Sequence, residues 1–134
     1  MRVRAIIIED GRLLLIRRQK GGDQYWVFPG GGVEASDASL TAALQREALE
    51  ELGVELEVGE QVVQIPPNDA AVTEPQTFFR CRIVRGALGS GTGDEWKKSQ
   101  ADNVYELQWV PISDVQRIDL RPMELKATLA RLEA

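Results

Sequence analysis

Arg46, Glu47, Glu50 and Glu51 fall close together in the chain, and three glycines, Gly30 to Gly32, stand upstream of them. An α-helix turns by about 100° per residue, so side chains three and four positions apart share a face. On that spacing Glu47, Glu50 and Glu51 converge. The same wheel sets Glu51 on the flank of an apolar stripe, Leu40, Leu44, Ala48 and Leu52, that is expected to face a core. Carboxylates gathered at the border of a core repel one another and resist ionisation unless cations compensate them. Mg²⁺ or Mn²⁺ would do so, because hard cations take oxygen ligands and keep waters and phosphate oxygens in their shell. Arg46, one turn before Glu50, is set to pair with it and hold that carboxylate in place.

A Glu-rich face is also what a plain solvated helix presents. The elements around it argue for chemistry. Gly30, Gly31 and Gly32 follow Pro29 and a strand-like YWVF, so a strand is expected to end in a loop whose backbone can approach a ligand or offer carbonyls to a metal. Gly53 then ends the helix as a C′ glycine does.

With these residues in place the chain resembles the Nudix hydrolases, whose box reads G-x5-E-x7-R-E-U-x-E-E-x-G-U with U aliphatic. Residues 46–54, REALEELGV, match the second half except at the first U, where Ala48 is small but apolar. Counting back from Arg46 puts the box Glu at Ala38 and its Gly at Gly32. Counting forward from Gly31 puts the acid at Asp37, with a lead-in one residue longer. The second register is preferred, because Asp37 supplies an acid of helix N-cap type and a loop absorbs an extra residue cheaply. The box then covers about 31–54. RVRAIIIEDGRLLLIRRQ reads as two strands around the hairpin dipeptide Asp10-Gly11, YELQWVPISDV resembles the family's late strand and short helix, and Pro122 to Leu132 reads as a closing helix. Strands are expected near 54–65, 76–85 and 104–110, which suggests an α/β fold. The resemblance implies the same: one Nudix-type α/β/α sandwich with a mixed β-sheet over residues 1–134.

Composition sets wider bounds. At 134 residues and 43% hydrophobic content the chain makes one ordinary domain. Its apolar runs are too short to span a bilayer, and it shows no secretory leader pattern, so a cytoplasmic protein with no membrane partner is expected. A lone Cys81 in FFRCRIV reads as a buried, inert thiol. With no histidine, acid-base work falls to carboxylates, lysine, tyrosine or bound water. A net charge of −5 argues against a stable nucleic-acid complex, which takes clustered Lys and Arg. Arg17-Arg18 ends the second strand, where alternation sends one side chain inward, within reach of a substrate phosphate, and the other outward. Pro66-Pro67-Asn68-Asp69 reads as a turn, and the stretch from Gly86 to Asn103, with Lys97-Lys98, as a surface loop set to close over substrate.

The resemblance implies hydrolysis of a nucleoside diphosphate linked to another group X, by water attack at phosphorus, with Mg²⁺ or Mn²⁺ as cofactor. Carried over residue by residue, Glu50 and Glu51 are principal metal ligands, Glu47 is a ligand or the base, and a backbone carbonyl of Gly30 or Gly31 is a further ligand. Arg46 completes the box, and Gly30, Gly31 and Gly32 border the substrate. A base from a later loop is the alternative, with Glu95 and Glu106 as candidates. Trp26, Phe28, Phe78, Phe79 and Tyr105 are candidates to stack on a base, though such strand aromatics more often belong to a core. Trp96 would cover a bound base or a homodimer contact. Two rivals stay open: a catalytically silent Nudix-like module that binds or senses a nucleotide, and a plain interaction domain. A metal site that binds only the folded chain raises its melting temperature. Thermal melts with Mg²⁺ or Mn²⁺ and a nucleotide are therefore expected above the melt in EDTA, and coincident curves would count against any metal site.

Overall fold

A computed structural model describes residues 1–68, 72–89 and 103–132. The chain runs β1 (Arg2–Glu9), β2 (Arg12–Lys20), β3 (Asp23–Val27), β4 (Gly30–Gly32), α1 (Leu40–Leu52), β5 (Val54–Ile65), β6 (Gln76–Gly86), β7 (Asn103–Pro111), a 3₁₀ turn (Ile112–Arg117), β8 (Leu120–Arg121) and α2 (Leu125–Leu132). The expected strands and both helices are present. The closing helix begins at Leu125 rather than Pro122, because Pro122 to Glu124 turn first and the Leu125 N–H donates to the Pro122 carbonyl. Of the expected 66–69 turn, Asp69 lies outside the described residues, as do Glu95, Trp96 and the Lys97-Lys98 pair.

The strands form a mixed sheet in two halves joined by the β1–β2 hairpin. One half runs β5-β6-β1-β4 and the other β8-β3-β2-β7, with β1–β6 and β3–β8 parallel and the rest antiparallel. The hairpin partners pair only near its tip, Ile8 with Leu13 and Glu9 with Arg12. Beyond that they diverge, β1 toward β4 and β2 toward β3 and β7. The far ends of β1 and β2 therefore stand apart and leave an opening between the halves.

Period-two alternation in β1 decides which helix covers which face. Val3, Ala5 and Ile7 join Ala43, Leu44, Ala48 and Leu52 of α1 in one core. Ile6 joins Phe28, Phe78, Leu120, Leu125 and Leu129 in the other, beneath α2. The helices thus lie on opposite faces of the sheet. Cys81 is buried in the first core, and burial pushes its thiol up to about 12, as expected of an inert cysteine. Among the described residues no helix is long and apolar enough to cross a membrane.

The apolar stripe read from the sequence is the buried face of α1, apart from half-buried Leu40. Leu44 is 1% exposed at its centre. Leu44→Ala is expected to lower the free energy of unfolding by about 2–5 kcal/mol, read as a lower urea midpoint with an unchanged denaturant slope.

Candidate active site

Local signals hold α1 in register. The Ser39 hydroxyl caps it by accepting from the Ala42 N–H at 3.0 Å. At the other end Gly53 adopts the left-handed conformation (φ 78°, ψ 21°) and its N–H closes on the carbonyls of Ala48 and Leu49. Asp37 is therefore not the helix cap. Its carboxylate instead takes a two-pronged bond from Arg46, Nε and Nη2 each at 2.9 Å, and a further bond from the Glu34 N–H at 2.8 Å. A cap must sit immediately before the first helical turn, and Ser39 holds that place.

Arg46 binds far more than Glu50. Besides Asp37 it donates to the Gly32 carbonyl at 3.0 Å, to Glu47 at 3.0 Å and to Glu50 at 3.3 Å. One guanidinium thus ties the lead-in loop, the end of β4 and two helix acids together. The bonds from Arg46, and then that from the Glu34 N–H, hold the Asp37 carboxyl down at about 2, and the reciprocal bond raises the Arg46 pKa above its ordinary value.

Helix and β4 meet at closest approach beside the glycines. A Cβ on Gly31 would collide with the Glu47 carboxylate, and one on Gly30 (φ 143°) with the Val3 carbonyl. The Gly30 N–H donates to Glu51 Oε1 at 2.9 Å, and Glu51 is only 8% exposed. Glu47 and Glu51, an i,i+4 pair, both line a cleft of about 470 Å³ together with Gly30, Gly31 and Gly32. Glu50 does not line it. It points to the flank, 52% exposed, beside Arg46. Among the described residues no three acidic or thiol side chains gather as a metal cluster. What the helix brings to the cleft is two carboxylates beside the glycines, and carboxylate oxygens suit a hard cation.

The lining is also basic, with Arg2 and Arg4 of β1, the cross-strand partners of Gly32 and Gly30, and Arg18 of β2, beside Tyr25 and Tyr105. Arg18 lies over the Tyr105 ring at 3.5 Å and donates to the Val104 carbonyl and to Asn103 Oδ1. Arg17, as alternation requires, points the other way and binds Glu106, Gln19 and Gln24. Glu106 is thereby drawn out of the cleft, and its pKa is lowered by Arg17 first and Gln108 second. Trp26 is also outside the cleft lining, with Nε1 donating to Gln108 at 2.9 Å. Phe28 is 1% exposed and edge-on to Phe78 at 5.1 Å, a core residue that no base can reach. Phe79 is buried likewise.

Arg4 was missed in the sequence, although a basic residue between Val3 and Ala5 in an apolar strand is itself a signal. It donates from Nη1 to the Phe28 carbonyl at 3.1 Å and from Nε to Gln76 Oε1 at 3.3 Å. Burial lowers its pKa, and the charge of Glu51 opposes that shift.

A family model described as the NUDIX domain matches residues 1–131. The CTP pyrophosphohydrolase of Escherichia coli is 52% identical over 62 residues, 45% of this chain and 45% of that protein. The uncharacterized Nudix hydrolase NudL of Citrobacter koseri is 34% identical over 91 residues, 68% of this chain and 43% of that protein. Each match thus spans less than half the length of the relative. The solution structure of the E. coli ORF135 protein is 29% identical with a TM-score of 0.66, covering 98% of this chain and 86% of that one.

The Asp37–Arg46 bond gives the site a pH signature. Because the carboxyl falls from an ordinary 3.8 to about 2 on folding, its stabilisation is complete above about pH 4–5 and is lost as pH falls through 2. The stability gap between the wild type and Asp37→Asn is expected to be constant near neutrality and to close on acidification, as followed by urea unfolding at stepped pH.

Proposed function

The chain belongs to the Nudix hydrolase family, and from that premise we propose that it is a Mg²⁺- or Mn²⁺-dependent hydrolase. It would cleave the pyrophosphate bond of a nucleoside diphosphate linked to another moiety. The observation that carries this reading is the meeting of both charges in one cleft: Glu47 and Glu51 beside the glycine backbone, with Arg4 and Arg18 in the same lining. A polyphosphate with its counter-cation needs both, because its oxygens must be shared between a metal and fixed cationic donors.

In this reading Glu47, Glu51 and the backbone at Gly31 hold the metal. The metal, when bound, polarises phosphoryl oxygens and offsets the charge that develops on them. Arg18, pinned on Tyr105, and Arg4 take non-bridging oxygens and fix the chain of phosphates against the glycines. Glu51 is anchored by the Gly30 N–H, whereas Glu47 is more open, with 18% of its side chain exposed. Glu47 is thus the carboxylate we assign to take the proton of the attacking water. Arg46 touches no substrate and serves as a positioning residue. Glu106, engaged with Arg17, has no part, and Glu95 lies outside the described residues.

The test is release of phosphate or nucleotide from nucleoside triphosphates, ADP-ribose, dinucleoside polyphosphates and nucleotide sugars. The name of the E. coli relative puts triphosphates first. Cleavage is expected with Mg²⁺ or Mn²⁺ and not in EDTA. Glu47→Gln and Glu51→Gln are each expected to lower kcat by roughly 100-fold or more, while the thermal melt shows the fold retained. If nothing is cut while nucleotides still raise the melting temperature, the silent binding module becomes the better reading.

A further inference from the structure

Arg17 and Arg18 are neighbours on β2, yet the fold treats their charges differently. Arg17 is answered by a carboxylate: Glu106, its cross-strand partner on β7, accepts from Nε at 3.3 Å and from Nη2 at 3.4 Å. Arg18, on the cleft side, has neutral acceptors instead, with Nε on the Val104 carbonyl at 3.2 Å and Nη2 on Asn103 Oδ1 at 2.9 Å. Its own partner on β7 is Tyr105, and the guanidinium lies 3.5 Å from the centre of that ring. Tyr25, its partner on β3, is farther off at 5.9 Å and carries Arg121 at 4.0 Å.

The two settings act on a cation in different ways. A carboxylate neutralises the guanidinium that it orients, so an arriving phosphate must displace it. A carbonyl, an amide oxygen and a ring face fix the direction and leave the net charge in place. Val104 and Asn103 take two of the five guanidinium N–H donors of Arg18, and among the described residues no carboxylate takes any of the rest. Arg18 is half-buried, so its unmatched charge attracts an anion more strongly than it would in open water. Holding the side chain still in advance also removes the rotamer entropy that binding would otherwise cost.

We propose that Asn103 and Tyr105 are positioning residues that aim Arg18 at a substrate phosphate through uncharged contacts and so keep its charge for the ligand. The proposal rests on Arg18 being a phosphate contact, as in the hydrolase reading, and adds what holds it ready. Both residues act through Arg18 and neither needs to touch the substrate. A carboxylate in the clamp would undo it even with the shape and the bond intact. Asn103→Asp makes that one change.

Calorimetric binding of tripolyphosphate with Mg²⁺ tests the clamp without turnover. Arg18→Met is expected to raise the Kd by roughly tenfold or more. Asn103→Asp is expected to raise it by about tenfold while the melting temperature of the free protein holds or rises, because a charge-assisted bond replaces a neutral one. A merely structural role for Asn103 would move affinity and stability together. Tyr105→Leu is expected to weaken binding by about threefold or more, and Tyr105→Phe, which keeps the ring face, to recover most of that loss. In an Arg18→Met background Tyr105→Leu and Asn103→Ala should each change the Kd by less than about twofold, since their effect runs through Arg18; Asn103→Ala carries the cycle should Tyr105→Leu fail to fold. Where nucleotides are cut, the single variants are expected to raise KM with kcat within about twofold of the wild type. This pattern with tripolyphosphate but no cleavage of any nucleotide would support the clamp and refute the hydrolase. A wild type that binds no tripolyphosphate, an Asn103→Asp protein that binds it as tightly as the wild type, or a Tyr105→Leu loss that persists in full without Arg18, as direct contact with the ligand would give, each overturns the proposal, and cleavage would then stand without it.

Discussion

The approach of α1 to β4 is the contact on which the site depends, and it exists only because Gly31 has no side chain. A Cβ there would occupy the space of the Glu47 carboxylate, so any other residue would push the helix off the strand or turn Glu47 out of the cleft. Next to it the Gly30 N–H, freed by a backbone conformation that L side chains rarely adopt, points at Glu51. Main chain and carboxylates are thus brought within bonding range before any ligand arrives. That ordering is what an electrostatic site needs, since groups already oriented cost nothing to reorganise when charge develops.

Arg46 answers the other half of the problem, the repulsion among clustered acids. It binds Asp37, Glu47 and Glu50 at once and clamps the Gly32 carbonyl. Glu51 and the open side of Glu47 remain for the cleft. The one-residue-longer lead-in still delivers an acid to Arg46, because a loop can bulge while its side chain reaches the same guanidinium. An arginine fork is well matched to such a carboxylate, which a lysine could only approach as a point charge.

The cleft itself follows from a disagreement between two strands. β1 and β2 begin as a hairpin and then take different partners, so their far ends separate and carry Arg2, Arg4 and Arg18 to opposite sides of one opening. Binding sites tend to form where strand partnerships change, since the sheet can close over core everywhere else. Here the helix acids and the strand arginines line the same opening.

The sequence by itself determined the elements. Its period-two runs and helical stripe marked the strands and α1 to within a few residues, Gly53 ended the helix, and the REALEELGV spacing set Glu47 and Glu51 on one face. These are local properties, governed by neighbours within a turn or two of the chain. Only the tertiary structure decided the rest. That Asp37 serves Arg46 and not the helix terminus, that Phe28 lies in the core, that Arg18 and not Arg17 enters the cleft, and that Arg4 lines it too all depend on contacts between segments far apart in sequence. Side-chain alternation restricts each strand to two choices, but which face meets the core and which meets the cleft is settled by the partner strands and the helix packed above them.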